Sequence, residues 1–157
     1  MNVLFVCYGN ICRSPTAEGV FATLTQQEGL ADRVRVSSAG TSSTHVGEAP
    51  DERTQDYAKR RGYPLNHVRA QQISPDMIAK ADFILAMDRA NVDAITRVCP
   101  PEHQAKIQLF LEYAPDQPVR EVPDPYYGGG AGFEHVLDLA EVASRGLLKY
   151  LRTRLGL

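Results

Sequence analysis

Five residues separate Cys7 from Arg13 in Cys7-Tyr8-Gly9-Asn10-Ile11-Cys12-Arg13-Ser14-Pro15, which brings a thiol and a guanidinium into one short loop. The apolar run Val3-Leu4-Phe5-Val6 before it and Pro15 after it make this loop a link between a strand and a helix N-terminus. Free N–H groups and the helix dipole favour an anion there, and a loop that turns its amides inward makes a nest for phosphate. The expected phosphate-binding set is Tyr8, Gly9, Asn10, Ile11, Cys12, Arg13 and Ser14. Gly9 and Asn10 are residue types that tolerate the left-handed backbone such a wrap needs. Arg13 can bind two phosphate oxygens with its planar fork, which lysine does less well. The same field favours the thiolate of Cys7, the form of cysteine that attacks. Ser14 can donate a hydrogen bond to that sulfur and help it depart. GxxxxGK followed by Ser or Thr occurs nowhere, so the loop is a thiolate site rather than a nucleotide site. The spacing of Cys and Arg alone is a weak pattern. Its weight comes from the conjunction of strand, Gly, Asn, Arg-Ser-Pro and helix start.

Displacing an alkoxide or phenoxide from phosphorus also needs a proton for the leaving oxygen, and the loop contains no acid. Pro123-Asp124-Pro125-Tyr126-Tyr127-Gly128 supplies the best candidate. Prolines stiffen the acidic position, and Tyr126 and Tyr127 beside it can line a slot for a phenyl ring. Asp124 would give its proton to the leaving group and later take one from water. Read locally, the same segment is equally a surface turn with exposed tyrosines.

The elements that must carry these residues alternate along the chain. Val3–Val6 reads as a strand buried on both faces, followed by a helix from Pro15 with Ala17, Val20, Phe21 and Leu24 on one side. Val34 to Val36, running into Ser37-Ser38-Ala39-Gly40, gives a second strand, and Pro50 to Arg61 a helix stopped by Gly62. Ser74-Pro75 caps a helix; Phe83 to Met87 is a third strand, Asp88 caps the helix after it, and Ile107 to Phe110 is a weaker fourth strand. Phe133, Val136, Leu137, Ala140, Ala143, Leu147, Leu148 and Leu151 form the apolar stripe of a last helix. This order predicts an α/β fold, a three-layer α/β/α sandwich whose central four-stranded parallel sheet is flanked by helices and binds ligands beyond the strands' carboxyl ends.

A chain of 157 residues suits a single domain, 1–157, without disulfides or a structural metal. Three cysteines, Cys7, Cys12 and Cys99, with no CxxC pair, argue against a disulfide scaffold or zinc module. Val3–Val6 is too short for a signal peptide or a membrane span and has no basic segment before it, so the expected location is the reducing cytoplasm. Seventeen basic against nineteen acidic residues and no long basic block exclude nucleic acid and membrane surfaces as expected partners. Lys59, Arg60, Arg61 and Lys149, Arg152, Arg154 read as solvated helix faces, and His45, His103 and His135 carry no signal.

With the loop and the Asp-Pro-Tyr-Tyr segment identified, the chain resembles the low-molecular-weight protein tyrosine phosphatases, bacterial type, over nearly its whole length. The resemblance rests on Val3 to Cys7, Gly9 to Pro15, Ala17-Glu18, Ser38-Ala39, Met87-Asp88, Asn91 and Asp124 to Gly128. It implies that Cys7 is the nucleophile, Arg13 the phosphate clamp and Asp124 the acid and then base, with no metal or organic cofactor. The implied partner is a tyrosine-phosphorylated protein, a bacterial tyrosine kinase among the candidates, with inorganic phosphate as product. Ser38 and His67 fall where the family holds the loop asparagine, here Asn10. Cys12 resembles the second loop cysteine, which traps oxidised Cys7 as a disulfide. Two positions depart from the pattern. Thr44, with His45 next to it, stands where many members have an aromatic slot wall, and Tyr8 is bulkier than the residue often found there. Three alternatives share the fold or loop. An arsenate reductase needs two further cysteines where only Cys99 remains, and a protein arginine phosphatase has threonine where Ile11 stands. A silent phosphate-binding module would need neither Cys7 nor Asp124.

Overall fold

Val3, Phe5 and Cys7 pack into one apolar cluster and Leu4 and Val6 into another, so the first strand has no face left for water. Such a strand belongs in the interior of a parallel sheet. In the computed structural model, which describes residues 1–126 and 128–157, it is β1 (Asn2–Cys7), and the sheet order is β2-β1-β3-β4 with every pairing parallel. The other strands are β2 (Arg35–Gly40), β3 (Phe83–Ala86) and β4 (Ile107–Leu109). The helices are α1 (Arg13–Gln27), α2 (Glu52–Arg60), α3 (Pro75–Lys80), α4 (Arg89–Val98) and α5 (Gly130–Arg154).

Helices α1 and α5 cover one face, where Phe5 meets Phe21 and Phe110 edge-on with ring centroids 5.9 and 5.0 Å away. Ile78 of α3 and Ile95 of α4 cover the other face, against Leu4, Val6 and Ile84. The three-layer α/β/α sandwich expected from the alternation is therefore the fold, and every residue of the α5 stripe is buried.

Local signals set the boundaries. Ser74 accepts from Met77 N–H with Pro75 in the first turn, and Asp88 and Asn91 form a reciprocal capping box on α4. Helix α1 differs from expectation in starting at Arg13 rather than Pro15, so Arg13 and Ser14 already have helical backbone. Arg61, read as part of a solvated face, instead reaches Glu134, Asp138 and Glu141 of α5 at 2.6, 2.9 and 2.7 Å and fastens the end of α2.

Helix α5 passes the backbone of Tyr113 so closely that a Cβ on Gly146 would lie 1.9 Å from its carbonyl oxygen. Gly146→Ala is expected to destabilise the protein by about 3 kcal/mol, because backbone rather than a movable side chain blocks the methyl group. A thermal midpoint lowered by only a degree or two would mean that α5 can slide aside.

Candidate active site

Strand β1 delivers Cys7 to the carboxyl edge of the sheet, opposite Gly40 of β2. The chain leaves β1 toward β2 and later crosses to β3 on the other side, so this edge is a topological switch point, where open α/β sheets form their crevices. A cleft of about 220 Å³ opens there, with Cys7 and Arg13 among the residues lining it.

The sulfur is buried and takes part in two hydrogen bonds. Asn10 N–H donates to Cys7 Sγ at 3.2 Å, and Ser14 Oγ lies 3.0 Å from the same sulfur. Asn10 Nδ2 donates to Ser14 Oγ at 2.8 Å, so the serine proton goes to one of its two acceptors, the sulfur at 3.0 Å or Ala39 O at 3.5 Å. The backbone N–H groups of Gly9, Ile11, Cys12 and Arg13 make no hydrogen bond among the described residues, and no side chain caps α1. They and the helix dipole are left for an external anion.

Holding the loop in this form requires Asn10 at φ +57°, the one non-glycine residue with positive φ among those described. That conformation costs on the order of 1 kcal/mol. The Asn10 side chain offsets it: Nδ2 also donates to Ser38 Oγ at 2.9 Å, and Oδ1 accepts from Gln71 N–H at 3.0 Å. Gly9 is not left-handed, contrary to the reason given for it from sequence. It makes room for His45, whose Cδ2 would lie 3.1 Å from an added Cβ. Gly40 supports the loop by close approach, since a Cβ there would stand 2.8 Å from Tyr8 O.

Ser38 in turn donates to Glu18 Oε1 at 2.5 Å. Burial pushes the Glu18 carboxyl above its usual range, opposed by the Ser38 bond and the field of His67. His67 itself is exposed and reaches Asn10 only indirectly, past Glu18; the direct second partner of Asn10 is the backbone of Gln71, which carries no sequence signal.

Arg13 is fixed from behind. Its Nη1 donates to Asp88 Oδ2 at 2.6 Å and to Val122 O at 3.1 Å, while Nε and Nη2 carry no hydrogen bond among the described residues. Asp88 does two jobs with two oxygens, since Oδ1 accepts from Asn91 N–H at 2.8 Å and caps α4. Sequence assigned only the cap. The Asp124 carboxylate lies at the mouth, half exposed, with Oδ2 3.8 Å from Arg13 Nη2 and Oδ1 accepting from Tyr126 N–H at 3.0 Å.

Tyr8, 59% exposed, and Tyr126 flank the opening. Thr44 does not line it, contrary to expectation: its Oγ1 turns to Ser42 Oγ at 2.7 Å. His45, dismissed in the sequence reading, forms that wall instead, with Nδ1 held 3.1 Å from Glu48 Oε1. Tyr127 lies outside the described residues. Cys12 is also in the cleft lining, but burial pushes its thiol up to about 12, the Thr54 hydroxyl offsetting only part of the effect.

Fold and cleft together define an α/β protein with a cysteine and an arginine lining a crevice beyond the carboxyl edge of its sheet. The model of the low molecular weight phosphotyrosine protein phosphatase family matches residues 2–155. A putative low molecular weight protein-tyrosine-phosphatase of Synechocystis is 47% identical over 152 residues, which are 96% of each chain. A crystal structure of an Entamoeba histolytica protein tyrosine phosphatase with Hepes in its active site superposes with a TM-score of 0.93 at 36% identity, covering 99% of this chain and 98% of that one. Vibrio vulnificus Wzb in complex with benzylphosphonate superposes at 0.83 with 29% identity, covering 95% and 97%. This chain belongs to the low molecular weight protein-tyrosine-phosphatase family.

Proposed function

We propose that this protein hydrolyses phosphotyrosine in protein substrates through a phosphocysteine formed on Cys7. The observation that supports this most is the convergence of Cys7, Arg13 and Asp124 on one cleft flanked by Tyr8 and Tyr126. The phosphate group enters the amide nest, where the unbonded Nε and Nη2 of Arg13 bind two of its oxygens. The Cys7 thiolate attacks phosphorus; an S–P bond forms, the P–O bond breaks, and Asp124 protonates the departing phenolate. The Asp124 carboxylate then takes a proton from a water that attacks phosphorus. The S–P bond breaks, the sulfur leaves as a thiolate bonded to Ser14 and Asn10, and inorganic phosphate is released. No step calls for a metal or an organic cofactor.

Cys12 is assigned a protective role. When peroxide oxidises Cys7 to a sulfenic acid, the Cys12 thiol condenses with it to a disulfide and water departs, which blocks further oxidation. Three free thiols suit a reducing compartment such as the cytoplasm. The partner class is a protein bearing phosphotyrosine, an autophosphorylating bacterial tyrosine kinase being one such protein.

The test is phosphate release from phosphotyrosine, phosphoserine and phosphoarginine peptides, with Cys7→Ser run in parallel. Release from phosphotyrosine alone, lost in the variant, supports the reading; preference for phosphoarginine would replace it with N–P hydrolysis. Asp124→Asn is expected to lower kcat/KM roughly 10²–10³-fold for phenyl phosphate and far less for esters of acidic phenols, which need little protonation. Equal slowing of all esters would remove Asp124 from the acid role.

A further inference from the structure

Arg53, in the first turn of α2, grips the segment that carries Asp124. Its Nη2 donates to Tyr126 O at 2.9 Å, and its guanidinium carbon lies 5.6 Å from the Tyr126 ring centroid and 4.8 Å from that of Phe133. Behind the guanidinium, Asp51 fixes the fork, with its two carboxylate oxygens each 3.2 Å from a donor, Nε and Nη2. Asp51 N–H donates to Ile11 O of the phosphate loop at 2.9 Å. Phe133 is itself backed by Tyr57, stacked at 5.6 Å and 4°. A continuous path thus runs from Ile11 through Asp51 and Arg53 to Tyr126, whose N–H is bonded to Asp124 Oδ1.

Asp124 itself is weakly anchored. Its side chain is 47% exposed, and the cation nearest it, Arg13 at 3.8 Å, belongs to the phosphate site. A proton donor at the end of an exposed segment needs its position set from outside, because a misplacement of about 1 Å costs on the order of 10²-fold in rate.

We propose that Arg53 is a positioning residue for Asp124, holding residues 124–126 by the Tyr126 carbonyl and ring so that the carboxyl reaches the leaving oxygen. The inference rests on the acid role assigned to Asp124 above. Arg53 is not among the residues lining the cleft. Its planar fork bonds Asp51 and Tyr126 at once while its face lies on two rings, a combination that lysine cannot reproduce.

The experiment measures kcat/KM, which reads the steps up to phosphocysteine formation, for aryl phosphates from nitrophenyl to phenyl. Wild type, Arg53→Met, Arg53→Lys and Asp124→Asn are compared. Arg53→Met is expected to lower kcat/KM for phenyl phosphate about 10-fold and for the nitrophenyl ester no more than about 3-fold. Competitive inhibition by inorganic phosphate should stay within about 2-fold of wild type, and Arg53→Lys should follow methionine.

Equal slowing across the series together with weaker phosphate binding would mean that Arg53 acts on the phosphate loop through Asp51, and would overturn the proposal. A lysine variant with the wild-type leaving-group dependence would overturn it too, since charge alone would then suffice. If Asp124→Asn is steep and Arg53→Met flat, only the positioning role falls. If Asp124→Asn is flat, the acid role falls and the positioning role with it.

Discussion

Cys7→Ser protein is expected to release phosphate from phosphotyrosine roughly 10⁴-fold or more slowly than wild type, yet still to bind inorganic phosphate. The loss is large because nothing else in the cleft can replace the nucleophile. Cys12 shares the loop, but burial keeps it a thiol, pushed up to about 12, whereas Cys7 Sγ faces the N–H of Asn10 and the hydroxyl of Ser14. A serine hydroxyl at position 7 stays protonated in the same surroundings. Binding survives because the amide nest and the open edge of Arg13 do not depend on sulfur. Acid-quenched wild type should carry a phosphoryl group on Cys7 by mass spectrometry, and the variant none. Substantial turnover by the serine protein would rule out the covalent path.

Arg13→Lys is expected to lower kcat/KM by roughly 10²–10³-fold, the range for losing a donor to transition-state oxygens. The reason is geometric rather than a matter of charge. Arg13 Nη1 bonds Asp88 and Val122, while Nε and Nη2 make no hydrogen bond among the described residues and form the edge proposed to meet the phosphate. A lysine ammonium is a single point that can answer Asp88 or the phosphate, with no second edge to offer. Inhibition by inorganic phosphate should weaken in the same variant. A lysine protein within about 3-fold of wild type on both measures would mean that positive charge suffices and the fork does not matter.

Much of this was legible in the sequence because it depended on near neighbours. The run Val3 to Val6, the loop after it and the helix start lie within one strand–loop–helix unit, so the strand, turn and helix signals together place thiol and guanidinium in one loop, although the helix begins at Arg13 rather than Pro15. The α5 stripe was equally plain, since a helix that buries one side repeats its apolar residues at a fixed interval. What failed to appear was decided by chain crossings. Thr44 and His45 differ by one step in a loop without periodicity, and only the room made by Gly9 selects the histidine as the wall. Asp88 announced its cap through Asn91 three residues on, whereas its bond to Arg13 spans 75 residues. Gln71 holds Asn10 with a backbone N–H, a group every residue but proline possesses, so no side chain could mark it. Arg53 carried no sequence signal, because the segment it holds at Tyr126 lies 73 positions along the chain.

The bond from Arg13 Nη1 to Val122 O joins residues 109 positions apart, and Met87 O, at the end of β3, accepts from Val122 N–H. A nascent chain that has emerged through Asp88 already possesses the Cys7 thiol, the loop after it and the Asp88 carboxylate, but not the Val122 carbonyl that holds Arg13 or the carboxyl of Asp124. The anchor of Arg13 is therefore completed only by a long loop closure late in synthesis. The proposed activity would then double as a completeness check: a polypeptide stopped before residue 122 is expected to release no phosphate from phosphotyrosine.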